Sequence, residues 1–173
     1  MLRVWPLVKE GQLTEAISHL DGFLSREMDP EVRSAALGFR AHIYERDGKI
    51  EEAQNDLLTA RSLSGPNYQR YVHELGLASL FERQGLSEEA HSWYRAALNT
   101  CLLDNETSGG SALKGLLRLR PARNLPEEDT SLCREVIKHS WRVLRLPGAS
   151  DLSDLEGSAS IIIEAQGKPL PPK

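Results

Sequence analysis

Apolar residues recur along the first hundred positions at helical spacing, in runs that come in pairs. Leu37, Ala41 and Tyr44 form one run, and Leu77, Ala78 and Phe81 form its counterpart further on. Each is followed, past a glycine, by a second run: Ala53, Leu57 and Ala60 after the first, Ala90, Tyr94 and Ala97 after the other. The polar residues between the runs repeat as well. Residues 45–53 read Glu-Arg-Asp-Gly-Lys-Ile-Glu-Glu-Ala and residues 82–90 read Glu-Arg-Gln-Gly-Leu-Ser-Glu-Glu-Ala, coinciding at six positions with an offset of 37. The same step upstream lands on Gly11, Glu15 and Ala16. Gly11, Gly48 and Gly85 are therefore equivalent, as are Ala16, Ala53 and Ala90.

The pattern predicts helix–turn–helix units. The glycine sits where the chain leaves one helix and reverses, a place for left-handed backbone that costs glycine least. The alanine that follows lets two antiparallel helices approach closely. Met28-Asp-Pro30 and Ser64-Gly-Pro-Asn67 put proline and glycine where one unit ends and the next begins. Three units follow, at about 1–30, 31–66 and 67–100.

With its glycine, the alanine a few positions on and the aromatic or aliphatic residue before the turn, this arrangement resembles the tetratricopeptide repeat family, whose unit is a helix pair of about 34 residues. The resemblance covers roughly the first hundred residues. It implies an all-α, right-handed superhelical stack of antiparallel helix pairs. The period of 37 is longer than the family's, and the signature tryptophan near the start of each unit is missing. The first unit is also short, because ten residues precede Gly11 and Pro6 limits N-terminal helix.

Beyond Cys101 the repeat fades. Residues 104–111 read as a loop, 112–119 as a short helix and 121–126 as a break. From Leu132 a helix carries Val136, Ile137, Val143 and Leu144 on one face and Arg134, Lys138, Arg142 and Arg145 on the other, with Trp141 at the border. Segment 101–166 is thus expected to hold a degenerate fourth helix pair and a C-terminal capping helix. Ser153-Asp-Leu-Glu156 has the spelling of a capping box for that last helix, and Leu155, Ala159, Ile162 and Ile163 trace its stripe. Residues 167–173, ending Pro-Leu-Pro-Pro-Lys, read as an extended tail.

Charge is uneven. Residues 1–113 hold 11 Lys+Arg against 17 Asp+Glu, a net −6, whereas 114–145 hold 8 against 4, a net +4. The basic stripe, with Arg118, Arg120 and Arg123 upstream of it, can meet an acidic partner, fold against the acidic repeats or remain solvated. A pI of about 5.8 and the lack of a reading motif argue against nucleic acid. No apolar run approaches the ~20 residues that span a bilayer, and the first ten residues lack a signal-type stretch, so the cytoplasm is the expected compartment.

The residues that carry chemistry do not converge in sequence. Five histidines are scattered without HExxH or cysteine partners, and Cys101 and Cys133 lack metal or redox spacing, which makes them reduced core residues. Gly109-Gly110 lacks the Lys-Ser/Thr of a phosphate loop. Neither catalysis, cofactor nor metal is expected. The resemblance instead implies a protein or peptide ligand along the first helices of successive units, touching Trp5, Lys9, Phe39, His42, Glu45, Arg46, Leu75, Ser79, Glu82 and Arg83. Glu45-Arg46 and Glu82-Arg83 would form a charged edge, or simple surface pairs. These positions do not supply the two-carboxylate clamp of Lys, Asn and Arg by which similar proteins hold chaperone tails. The expected function is an adaptor or scaffold. The alternatives are a self-associating module in which the groove or the last helix mediates homodimerisation, and a regulatory repeat cut from a larger enzyme.

Overall fold

The computed structural model describes residues 4–146 and 154–166, and every regular element among them is helical. In chain order these are α1 (Val4–Lys9), α2 (Leu13–Leu24), α3 (Pro30–Arg46), α4 (Ile50–Leu63), α5 (Tyr68–Arg83), α6 (Ser87–Leu103), α7 (Gly110–Leu119), α8 (Glu127–Val143) and α9 (Leu155–Gln166), with a short 3-10 turn at Ala122–Asn124. No helix among the described residues is long and apolar enough to cross a membrane. The helices fall into two compact units, 1–65 and 66–173.

The three repeated glycines do what their spacing predicts. Their φ angles are +77°, +78° and +76°, and each closes a helix in the same way. Gly48 N donates to Glu45 O at 3.3 Å while Lys49 N reaches back to Tyr44 O at 2.9 Å, and Gly11 with Gln12 and Gly85 with Leu86 repeat that pair of bonds. The crossed bonds satisfy carbonyls that the end of a helix leaves open. The starts of α3 and α5 are capped by the residues marked as boundaries. Asp29 accepts from Glu31 N at 2.8 Å with Pro30 at the first helical position, and Asn67 accepts from Gln69 N and Arg70 N.

In the first unit α3 and α4 form the main hairpin, α2 packs on α3, and α1 on α2. Val4, Val8, Ala16, Leu20 and Ile43 fill one cluster, and Leu24, Ala36, Leu37 and Ala60 a second. Ala16, Ala53 and, in the other unit, Ala90 are each fully buried. Polar groups add fixed links. The Ser34 hydroxyl is fully buried, donates to Ala60 O at 2.9 Å and lies 2.6 Å from Ser64 Oγ. Arg40 grips Asp56 through Nε and Nη2 at 2.7 and 2.8 Å and Asp21 through Nη1 at 2.5 Å, joining α2, α3 and α4.

In the second unit α5 and α6 form the hairpin. Here the structure departs from the expected fourth pair. α7 packs on α6 and α9, α8 also packs on α6 and α9, and α7 and α8 barely meet. The reason lies in glycines that sequence spacing placed in a loop. Gly109 fits against Val136 and Cys101, and Gly110 against Ile162 and Ile163, so the start of α7 is wedged between helices too close for a side chain. α7 accordingly begins at Gly110 rather than at residue 112. α8 ends at Val143, and Arg145 adopts φ +50° in a closing turn like those of the glycines, so it leaves the helical stripe to which it was assigned. Ser153 of the expected capping box lies outside the described residues; Asp154 accepts from Gly157 N at 2.8 Å at the start of α9. The tail 167–173 is likewise outside them.

Candidate functional site

On the first unit, Trp5, Lys9 and Phe39 come together. The Trp5 ring is 49% exposed, its centroid 6.1 Å from that of Phe39, and the Lys9 ammonium lies 5.8 Å over it. Exposed His42 stands one repeat after Trp5, with Nδ1 3.7 Å from Glu45. Arg46 is exposed at the helix end. These residues form an aromatic patch with charged margins, to which the Glu45–His42 contact on one helix belongs.

On the second unit, Ser79 and Leu75 are half-buried and Arg83 is exposed, but Glu82 is diverted. Arg118 on α7 holds it through two bonds of 2.6 and 2.7 Å, and the Tyr94 hydroxyl donates to it at 2.7 Å. Glu82 therefore serves the α5–α6–α7 junction. Arg120 similarly meets Glu88 at 2.5 Å, so Arg118 and Arg120 fold against the acidic repeats. Arg134, Lys138 and Arg142 line the exposed side of α8, opposite buried Cys133, Val136 and Ile137.

Held chiefly by Arg118, the Glu82 carboxyl is pushed below the usual carboxylate range. A lowered folded-state pKa contributes stability that is present above the unfolded value and lost as pH falls through the folded one. Glu82→Gln removes that titration. The stability of the variant is expected to fall less steeply than wild type below pH ~4, as read by urea unfolding at a series of pH values.

The feature that sequence reasoning missed lies beside Leu75. Tyr68, Tyr71, Val72 and Leu75 form one wall of a cleft of about 440 Å3, and Ser108, Ser111, Leu144 and Gln166 contribute to the opposite side. The Tyr68 and Tyr71 rings stack with centroids 6.4 Å apart and planes 29° apart. Tyr68 is 63% exposed, whereas Tyr71 is buried and its hydroxyl accepts from Ala112 N at 3.3 Å. Burial pushes the Tyr71 phenol up to about 12, so it stays neutral and able to hydrogen-bond. The signal was present: with Asn67 as the cap, Tyr68, Tyr71, Val72 and Leu75 fall three to four residues apart on one helical face.

Buried polar groups elsewhere tie helices together. His91 Nε2 lies 2.8 Å from Asp129, whose other oxygen is 2.9 Å from Arg95, joining α6 to α8. Glu74, at the repeat position of Leu37, is fully buried and accepts from Thr100 at 2.6 Å. Cys101 and Cys133 are free and buried, and burial pushes both thiols up to about 12, away from nucleophilic thiolate. Among the described residues no cluster of three or more His, Cys, Asp or Glu is placed to hold a metal.

No protein-family model matches the chain, and no curated protein matches it. Among solved structures, BtubC (BKLC) from P. vanneervenii matches with a TM-score of 0.62 at 20% identity, covering 95% of this chain and 70% of that chain. This is a likeness of fold.

Proposed function

We propose that this chain is a tetratricopeptide-type adaptor, a right-handed stack of helix pairs that holds an extended protein segment on the faces of its first helices and performs no chemistry of its own. The observation that carries the reading is the α5 cleft. An apolar wall of Tyr68, Val72 and Leu75 faces hydroxyl and amide groups, the mixture by which a pocket buries side chains while orienting a backbone. The Trp5–Phe39 patch, formed between α1 and α3 with Trp5 exposed, is a second aromatic surface. Three identical glycine turns at equal spacing support the repeat architecture.

Selection from a displayed random-peptide library tests this reading. Ligands are expected whose affinity drops at least about tenfold in Tyr68→Ala, roughly 1.4 kcal/mol for loss of an aromatic anchor, with unchanged thermal stability because the ring is mostly exposed. A library that yields no Tyr68-dependent ligand ends the proposal for this cleft. For the self-association alternative α9 offers exposed Ile161, while Ile162 is fully buried and Ile163 half-buried against Gly110.

A further inference from the structure

We propose that the protein segment held in the α5 cleft is acidic on one flank: an apolar side chain enters beside Tyr68, and the carboxylates next to it in sequence lie along Arg142, Lys138 and Arg134 on α8. The inference rests on the peptide-binding reading of that cleft and adds the chemical class of the ligand and a second contact surface on the same unit.

Three observations point the same way. The first is that these cations are uncommitted. Arg95, Arg118 and Arg120 of this unit each grip a carboxylate, whereas Arg134, Lys138 and Arg142 are exposed and, among the described residues, no acid lies within ion-pair distance of them. The second is continuity with the cleft. Each step of four residues advances about 6 Å along a helix and about 40° round it, so the line winds along α8 to Arg142. That residue precedes Val143, which lines the cleft together with Leu144. Alternate side chains of an extended segment lie about 6.7 Å apart on one face, close to the spacing of the cations, so acids at every second position can meet the three in turn. The third is where acid already stands. Glu106 lines the cleft, and Glu135 is exposed at the flank of the cation line. A nucleic acid, charged at every unit, would run against both of them and against the net −4 of the chain. A protein segment can be neutral in the cleft and acidic only beyond it.

The test selects from the displayed random-peptide library on the full chain and, separately, on a variant carrying Arg134→Gln, Lys138→Gln and Arg142→Gln together. That variant should melt at the wild-type temperature, because the three side chains are exposed and outside any ion pair. Ligands selected on wild type are expected to carry Asp or Glu on one side of an apolar residue and to bind the triple variant about tenfold more weakly, roughly 1.4 kcal/mol shared over three exposed pairs. Raising the salt from about 0.05 M to about 0.5 M should erase most of that difference, since the higher concentration screens charges beyond a few ångströms. Ligands selected on the triple variant should lack the acids and still require Tyr68. Wild-type ligands that need Tyr68 but carry no excess of acid, or that bind the triple variant equally well, overturn the proposal and leave the adaptor reading standing. If no ligand requires Tyr68, both fall, even where acidic ligands need the three cations. A single-stranded oligonucleotide that binds wild type as tightly as the selected peptides, with the same loss in the triple variant, also overturns the proposal, since the line would then be a general polyanion surface.

Discussion

Gly115→Ala is expected to destabilise the second unit by about 2–3 kcal/mol, at the upper end of what one extra buried methyl costs in a packed core. Gly115 is buried on the inner side of α7, and a Cβ there would overlap the Tyr94 ring, with even Cδ1 only 2.8 Å away. Contacts that close require something to move. The ring cannot easily do so, because it is 2% exposed and its hydroxyl is bound to Glu82 and receives Arg118 at 3.3 Å. Moving α7 instead would loosen Arg118 from Glu82, since Arg118 sits one turn beyond Gly115 on the same helix. Gly22→Ala serves as the control. A Cβ at Gly22 meets nothing within 4 Å, so this substitution in α2 should stabilise by about 0.5–1 kcal/mol through helix propensity alone. Urea unfolding of the two variants should move in opposite directions. A neutral Gly115→Ala would mean that the α6–α7 junction is far more yielding than its packing indicates.

The contrast between these glycines shows what could be read in the sequence and what could not. Gly11, Gly48 and Gly85 were legible because their requirement is local: a left-handed residue at the end of a helix leaves a signature in its immediate neighbours, and repetition made it visible. Gly109, Gly110 and Gly115 answer to residues twenty or more positions away in the chain, Val136, Ile162 and Tyr94, and no local pattern reveals that requirement. That is why α7 was expected to pair with α8 and instead packs on α6 and α9. The candidate site divides along the same line. Trp5, Phe39, His42 and Leu75 follow from the resemblance to tetratricopeptide repeats, which supplies a register along the first helices. The engagement of Glu82 was not legible, because Arg118, which holds it, comes from a segment outside the repeat. Tyr68 went unmarked because it opens its helix, where periodicity has only begun to accumulate.

Arg40→Ala is expected to cost the first unit about 3–5 kcal/mol, the largest effect of any single substitution considered. The value of the guanidinium lies in what its loss leaves behind. Asp56 is 7% exposed on α4 and receives two parallel bonds from Arg40; without them a buried carboxylate has neither water nor partner. Asp21, the other partner, is half-exposed and can be rehydrated, so Asp21→Ala should cost less than about 1 kcal/mol despite breaking a bond of 2.5 Å. The double change Arg40→Met with Asp56→Leu removes both charges and restores apolar volume. It should recover most of the loss, because the penalty belongs to the orphaned charge and not to a missing attraction. Denaturant unfolding of the three variants separates these terms. If the double variant is as unstable as Arg40→Ala, the role of Arg40 is instead its packing, including its stacking 5.5 Å over the Tyr44 ring, and the ion pair contributes little of its own.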